Sequence, residues 1–313
     1  MVDHAGIHVS LGDLLRLRAK ASGFSFLPRQ PIHSVLAGRH GSRLRGRGLE
    51  FLELRHYAEG DDVRTIDWSA TARQREPFVR VYTEERDRPV LLVIDQRLSM
   101  FFGSSRVMKS VAAAEVAALS AFRVTSLGDR VGAVVFSENG IDEIRPAARD
   151  GAVWQVLNAV AEHNGLLSAD DARQADPALL NAAVRIAGRL LPHDGLVCLI
   201  TDAFGADAET VELVTRITAH NDVLVAFISD VLERDLPDIG QATVAQGNLR
   251  LEVDLSSRAL RRRFAASFDD RLTAVQRFSR QRAIPVLPIT TDRETAVQLR
   301  EVLGQRLDRR RAG

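Results

Sequence analysis

From Pro89 onward the chain alternates two textures, and that alternation restricts the folds open to it. PVLLVID (89–95), RVGAVVFS (130–137), GLVCLITD (195–202), VLVAFISD (223–230) and IPVLPITT (284–291) are short, predominantly apolar runs. A strand with one wet face alternates apolar and polar residues, whereas a run apolar throughout is buried on both faces. Helical stretches separate these runs: SSRVMKSVAAAEVAALSAFRVTS (104–126), 150–163, 177–191, AETVELVTRITAH (208–220), an Arg-rich helix from Ser256 to Arg282, and 293–306. Buried strands alternating with helices of about ten or more residues form βαβ units. The expectation is an α/β domain with a doubly wound, mostly parallel sheet. IDEIRP (141–146) adds a short edge strand, and QATVAQGNLRLEVD a hairpin.

Upstream the texture differs, which divides the chain into residues 1–37, 38–88 and 89–313. In the first segment Leu11, Leu14, Leu15 and Leu17 predict a short amphipathic helix, and GRHGSRLRGRG (38–48) is basic and glycine-rich. LEFLELRHY and PFVRVYTEE alternate with period 2 on either side of the polar turn EGDD, so 38–88 is expected to form a small β unit.

Several function classes are disfavoured. The 42 basic and 41 acidic residues leave a net charge of +1, too little to attract nucleic acid or anionic lipid. The runs RRRF (261–264) and RRR (309–311) are expected to be solvated faces. No window approaches about 18 uncharged apolar residues and the N-terminus lacks an apolar signal core, so neither a membrane span nor a secretory signal is expected. The single cysteine, Cys198, lies in LVCLI, where a buried inert thiol and a reducing compartment, the cytoplasm, are expected. No Walker loop, G-x-S-x-G or H-E-x-x-H occurs, and GRGLEF lacks the last glycine of a dinucleotide fingerprint. No cofactor is expected.

Three apolar runs end in aspartate: Asp95, Asp202 and Asp230. Ligands of doubly wound sheets bind beyond the carboxyl ends of the strands, where the strand order reverses. Asp95 and Asp202, with the Ser99 hydroxyl, offer hard oxygen donors suited to Mg²⁺ or Mn²⁺. The competing account is structural, because aspartate commonly follows a strand to cap a helix or close an Asx turn.

Two resemblances bear on that choice. LLVIDQRLSM, GDRVGAVVFS and LVCLITDAF, in this order, resemble the von Willebrand factor A-type fold. RGLEFLELRHYAEGDDVRTIDWSATAR (47–73) resembles the signature of a bacterial family, domain-of-unknown-function family 58. Its members carry an A-type domain and are often encoded beside MoxR-type AAA+ ATPases. The likeness covers about residues 38–230. It implies a metal-ion-dependent adhesion site built from D-x-S-x-S, a later Thr and a later Asp. Asp95 and Ser99 match the first and last residues of that motif, and Asp202 matches the distal aspartate. Arg97 replaces the middle serine, and SADDARQADPALL, before the helix at 177, holds no threonine. The implied site is therefore degenerate. A guanidinium beside a carboxylate brings one positive charge where the metal would bring two, and both cannot be accommodated cheaply. Arg97 is expected to pair with Asp95 or Asp202 in place of the metal, or to meet an acidic group of a partner.

A second constellation, HYAEGDDVRTIDW, places Tyr57, Asp61, Asp62, Arg64, Asp67 and Trp68 close in sequence, with Arg55 and Arg73 flanking. One reading is an ion-pair network with Trp68 as core; the other is a partner-docking surface made of those six residues. The resemblance implies a cytoplasmic, non-enzymatic interaction protein that works with a MoxR-type AAA+ ATPase on an unidentified client. The alternative is a Mg²⁺-dependent hydrolase holding its metal with Asp95 and Asp202, for which Asp230, Glu138 and Ser99 are the available bases or nucleophiles.

Overall fold

The computed structural model describes residues 6–24, 49–58, 61–84, 88–234, 236, 238, 240–246, 249–282 and 284–308. Two compact units are present, Arg29–Asp87 and a larger one joining Met1–Pro28 to Arg88–Gly313. Residues 1–28 thus group with the larger unit and 29–37 with the smaller one. The basic stretches 38–48 and 309–311 lie outside the described residues.

In the smaller unit, β1 (Leu49–His56) pairs antiparallel with β2 (Phe78–Glu84), as the period-2 alternation predicted. The connection holds more than a turn. A 3-10 turn (Val63–Thr65) is followed by a short helix, α2 (Trp68–Gln74).

The larger unit opens with α1 (Leu11–Arg16), started by a capping box between Ser10 and Asp13. There follow β3 (Pro89–Asp95), α3 (Lys109–Ser126), β4 (Arg130–Ser137), β5 (Gly140–Ala147), α4 (Asp150–Gly165) and α5 (Ala178–Leu190). The chain continues through β6 (Leu196–Thr201), α6 (Ala208–Thr218), β7 (Asp222–Ser229) and the single turn α7 (Val231–Arg234). A hairpin of β8 (Gln241–Gln246) and β9 (Leu249–Asp254), the long α8 (Arg258–Arg282), β10 (Val286–Thr290) and α9 (Thr295–Asp308) complete it.

Six strands form one sheet in the order β10-β7-β6-β3-β4-β5, parallel except for the edge strand β5. The apolar runs are its interior: β3 is buried from Val90 to Asp95 and β6 throughout. Alternate residues face opposite layers. Leu92 and Ile94 pack with α1, α3, α4 and α9, while Leu91 and Val93 pack with α5, α6 and α8. This is a doubly wound α/β sandwich of three layers. From β3 the chain moves to β4 on one side and later returns to β6 on the other, so the switch point lies between β3 and β6.

Helix α3 begins at Lys109, later than the pattern over 104–126 predicts. The reason is local: the Ser104 amide and hydroxyl both donate to Asp230, at 2.9 and 2.6 Å, and hold that segment as a loop.

Candidate functional site

The switch point is fixed by Asp95, the last residue of β3. Its carboxylate accepts four hydrogen bonds, the number of lone-pair sites that it has. Oδ1 accepts from the Arg97 amide (3.1 Å) and Nε (2.9 Å); Oδ2 accepts from an Arg97 terminal nitrogen (2.7 Å) and the Thr201 hydroxyl (2.7 Å). This is a bidentate fork, the strongest geometry open to an arginine–carboxylate pair. The guanidinium also donates to the carbonyls of Asp176 and Phe204, both at 3.1 Å. Its Cζ lies 5.4 Å from the Phe136 ring centroid and 5.9 Å from that of Phe204. Arg97 is 0% exposed. Burial alone would favour the neutral form, but the Asp95 carboxylate outweighs it and holds the pKa of Arg97 above its usual value.

Asp202, one residue past β6, is also fully buried. Its Oδ1 caps the following turn through the Phe204 amide (2.9 Å), and Ala203 takes a left-handed backbone at φ 57° to allow it. Its Oδ2 receives Lys109 Nζ at 2.7 Å and Arg271 at 3.4 Å. The same two cations reach Glu233 Oε1, at 2.7 and 2.9 Å. Burial pushes the Asp202 carboxyl up, yet Lys109, Arg271 and Arg97 together overcome it and hold the pKa down at about 2. Three buried carboxylates, Asp95, Asp202 and Glu233, therefore face three cations, Arg97, Lys109 and Arg271.

These residues do not fit a divalent cation. Asp95 has no acceptor site left, and Asp202 and Glu233 already share two positive charges. Of the expected ligand set only Ser99 is unengaged: its hydroxyl is buried and has no partner among the described residues. Asp230 is tied by Ser104, the Thr291 hydroxyl (2.5 Å) and the Leu232 amide (2.9 Å). Glu138 accepts the amides of Leu98 and Asp176, at 2.9 and 3.3 Å, and burial pushes its carboxyl up. Gly205, at φ +75°, lets the loop after Asp202 close on Pro177: an added Cβ would lie 2.2 Å from the Pro177 Cβ.

One catalytic-looking arrangement lies nearby. Ser137 Oγ is 2.7 Å from His163 Nδ1, and His163 Nε2 is 3.3 Å from Asp142. Ser137 is only 1% exposed and its oxygen already accepts the Asn139 amide at 3.1 Å, so it is no nucleophile in this conformation. Cys198 is likewise buried, its pKa pushed up to about 12 by desolvation.

Two expectations need correction. Arg97 was expected to reach a partner's acidic group; buried, with its fork on Asp95 and its outer nitrogens on two carbonyls, it has nothing to offer. Trp68, core in one of the two readings and part of a docking surface in the other, opens α2 and is 70% exposed, which removes the core reading. In the same unit Arg55 forms a fork on Asp61 at 2.7 and 2.8 Å, while Asp62 and Asp67 cap the 3-10 turn and α2 through backbone amides. Asp62, Arg64 and Trp68 are exposed and Tyr57 is half-buried.

Thr201, Lys109, Glu233 and Arg271 escaped the sequence reading. Only Lys109 left a trace: it is one of two lysines among 42 basic residues, and it opens an Ala-rich apolar helix. A cation at a helix N-terminus opposes the macrodipole, which signals a carboxylate elsewhere.

The fold and this pole define the class: a three-layer α/β protein with a charge-balanced acidic cluster at its switch point. The chain belongs to the family described as protein of unknown function DUF58, which matches residues 53–274. Uncharacterized proteins of Mycobacterium bovis and Mycobacterium tuberculosis are 30% identical over 283 residues, covering 89% of this chain and 86% of theirs. The crystal structure of conserved hypothetical protein BatB from Bacteroides thetaiotaomicron aligns over 72% of this chain and 100% of its own, with 12% identity and a TM-score of 0.39. That likeness is too weak to bear on function. Among the described residues no helix is long and apolar enough to cross a membrane.

Proposed function

We propose that this protein is a cytoplasmic, non-enzymatic interaction module of von Willebrand factor A-like design. It works with a MoxR-type AAA+ ATPase in maturing or remodelling another protein complex. The observation that supports the non-enzymatic part is the charge balance at the switch point: Asp95 and Asp202, the carboxylates that would hold a metal, are already paired with buried cations. Above this floor Phe102, Phe204 and Val231 are 36%, 37% and 41% exposed, after β3, β6 and β7 respectively. An apolar rim over a neutralised floor favours contact with a protein over chemistry on a polar substrate. The ATPase rests on the family resemblance alone, which is an argument by association.

Co-purification tests the pairing. The tagged chain should enrich the cognate MoxR-type ATPase well above an unrelated A-type domain, and the double change Phe102→Asp with Phe204→Asp should lose that enrichment. Equal recovery by both baits would defeat the proposal. The alternative, a Mg²⁺-dependent hydrolase, predicts sub-millimolar Mg²⁺ or Mn²⁺ binding by calorimetry that Asp202→Ala abolishes.

A further inference from the structure

At the opposite pole, a cavity of about 620 Å³ opens where β3 and β4 begin, bounded among others by Pro89, Arg130, Glu143, Arg145, Arg189 and His193. Arg130 shares the parity of Val134 and Phe136, so it faces the α5 layer. Arg145 sits where the β4–β5 register shifts, and a bulge there re-aims side chains. Gly132 permits the approach: an added Cβ would lie 2.5 Å from the Ile144 carbonyl and 2.6 Å from the Pro146 nitrogen.

The charge of this cavity is not balanced as it is at the other pole. Glu143, the one carboxylate among the bounding residues, is taken by Arg189 at 2.6 Å. Arg130 and Arg145 have no hydrogen-bond or ion-pair partner among the described residues, and Arg130 Nε is buried without an acceptor. The Arg130 Nε thus offers a donor at the cavity wall that no carboxylate or carbonyl of the described residues uses. We propose that the cavity binds a small phosphorylated ligand whose phosphoryl oxygens are held by Arg130 and Arg145. Planar guanidinium donors match phosphoryl oxygens, and a phosphate monoester near pH 7 carries about −1.5 to −2, which two free guanidiniums neutralise better than they would a single carboxylate. The volume lies within the range of about 300–1,000 Å³ usual for small-ligand sites. Prolines and leucines along the wall supply an apolar surface for the rest of such a molecule. The site is independent of the ATPase partnership proposed above.

Calorimetric titration of the full chain with pyrophosphate at low ionic strength is the test, with a tetra-aspartate peptide as the competing anion. Saturable one-site binding of pyrophosphate is expected, weakened at least tenfold by Arg130→Gln with Arg145→Gln. If the double variant fails to fold, Arg145→Gln alone serves, because Arg145 is exposed, and at least a threefold loss is expected. No saturable heat, an affinity unchanged in the variants, or equal binding of the peptide would each overturn the assignment.

Discussion

Lys109 opens α3, where unsatisfied amides already carry partial positive charge, and it is 2% exposed. It is tolerated there because Asp202 and Glu233 each come within 2.7 Å of its ammonium. Removing one partner of a buried ion pair costs about 3–5 kcal/mol, since the remaining charge stays buried. Lys109→Met, which keeps the length and removes the charge, should therefore lower urea-unfolding stability by about 3 kcal/mol or more. Its acid sensitivity should change as well. With its folded pKa held at about 2, below the usual 3.8, Asp202 contributes stability that is fully present above about pH 4 and lost as the pH falls toward 2. In Lys109→Met the Asp202 pKa rises, so the acid-unfolding midpoint should move to higher pH. Arg97→Ser makes a complementary test. It restores the D-x-S-x-S spelling and removes one of three cations, and should produce a saturable heat of Mg²⁺ binding, with none expected for the parent chain. A silent titration would show that Arg97 is not what keeps a metal out.

Among the elements, those buried on both faces were legible in the sequence, because the interiors of β3, β6 and β7 are apolar throughout and polar residues stand only at their ends. The edge strand β5 was legible for the opposite reason, its exposure alternating from one residue to the next over much of its length. Helix α2 was not: seven residues, WSATARQ, with an exposed tryptophan first, leave no apolar stripe to read. The candidate site was half legible. Asp95 and Asp202 were marked by the strands they end, but Lys109, Glu233 and Arg271 lie 93, 31 and 69 positions from Asp202, and only the fold brings them together. A residue whose role is set by a distant partner carries no local pattern. The close contact between β4 and β5 yields a prediction at this scale. Gly132→Ala would drive a methyl group into the β5 backbone, and overpacking of this kind costs about 1–3 kcal/mol, measurable as a lower urea midpoint at an unchanged slope.

Across the larger unit, the two ends of one sheet carry opposite electrostatic conditions. At the carboxyl ends of β3 and β6 three anions and three cations cancel largely away from solvent; at the amino ends of β3 and β4 two guanidiniums have no partner among the described residues. Surface charges are screened within about 10 Å at 0.1 M salt, whereas buried ones are screened much less. Raising NaCl from 0.05 to about 0.5 M should therefore leave urea stability nearly unchanged while reducing pyrophosphate affinity by tenfold or more. The counter-charge at the first end is covalently part of the chain and does not depend on what the surrounding fluid supplies. On the proposed reading a chelator such as EDTA finds no ion to strip there, and a partner docked over Arg97 should stay docked when free Mg²⁺ and Ca²⁺ vanish.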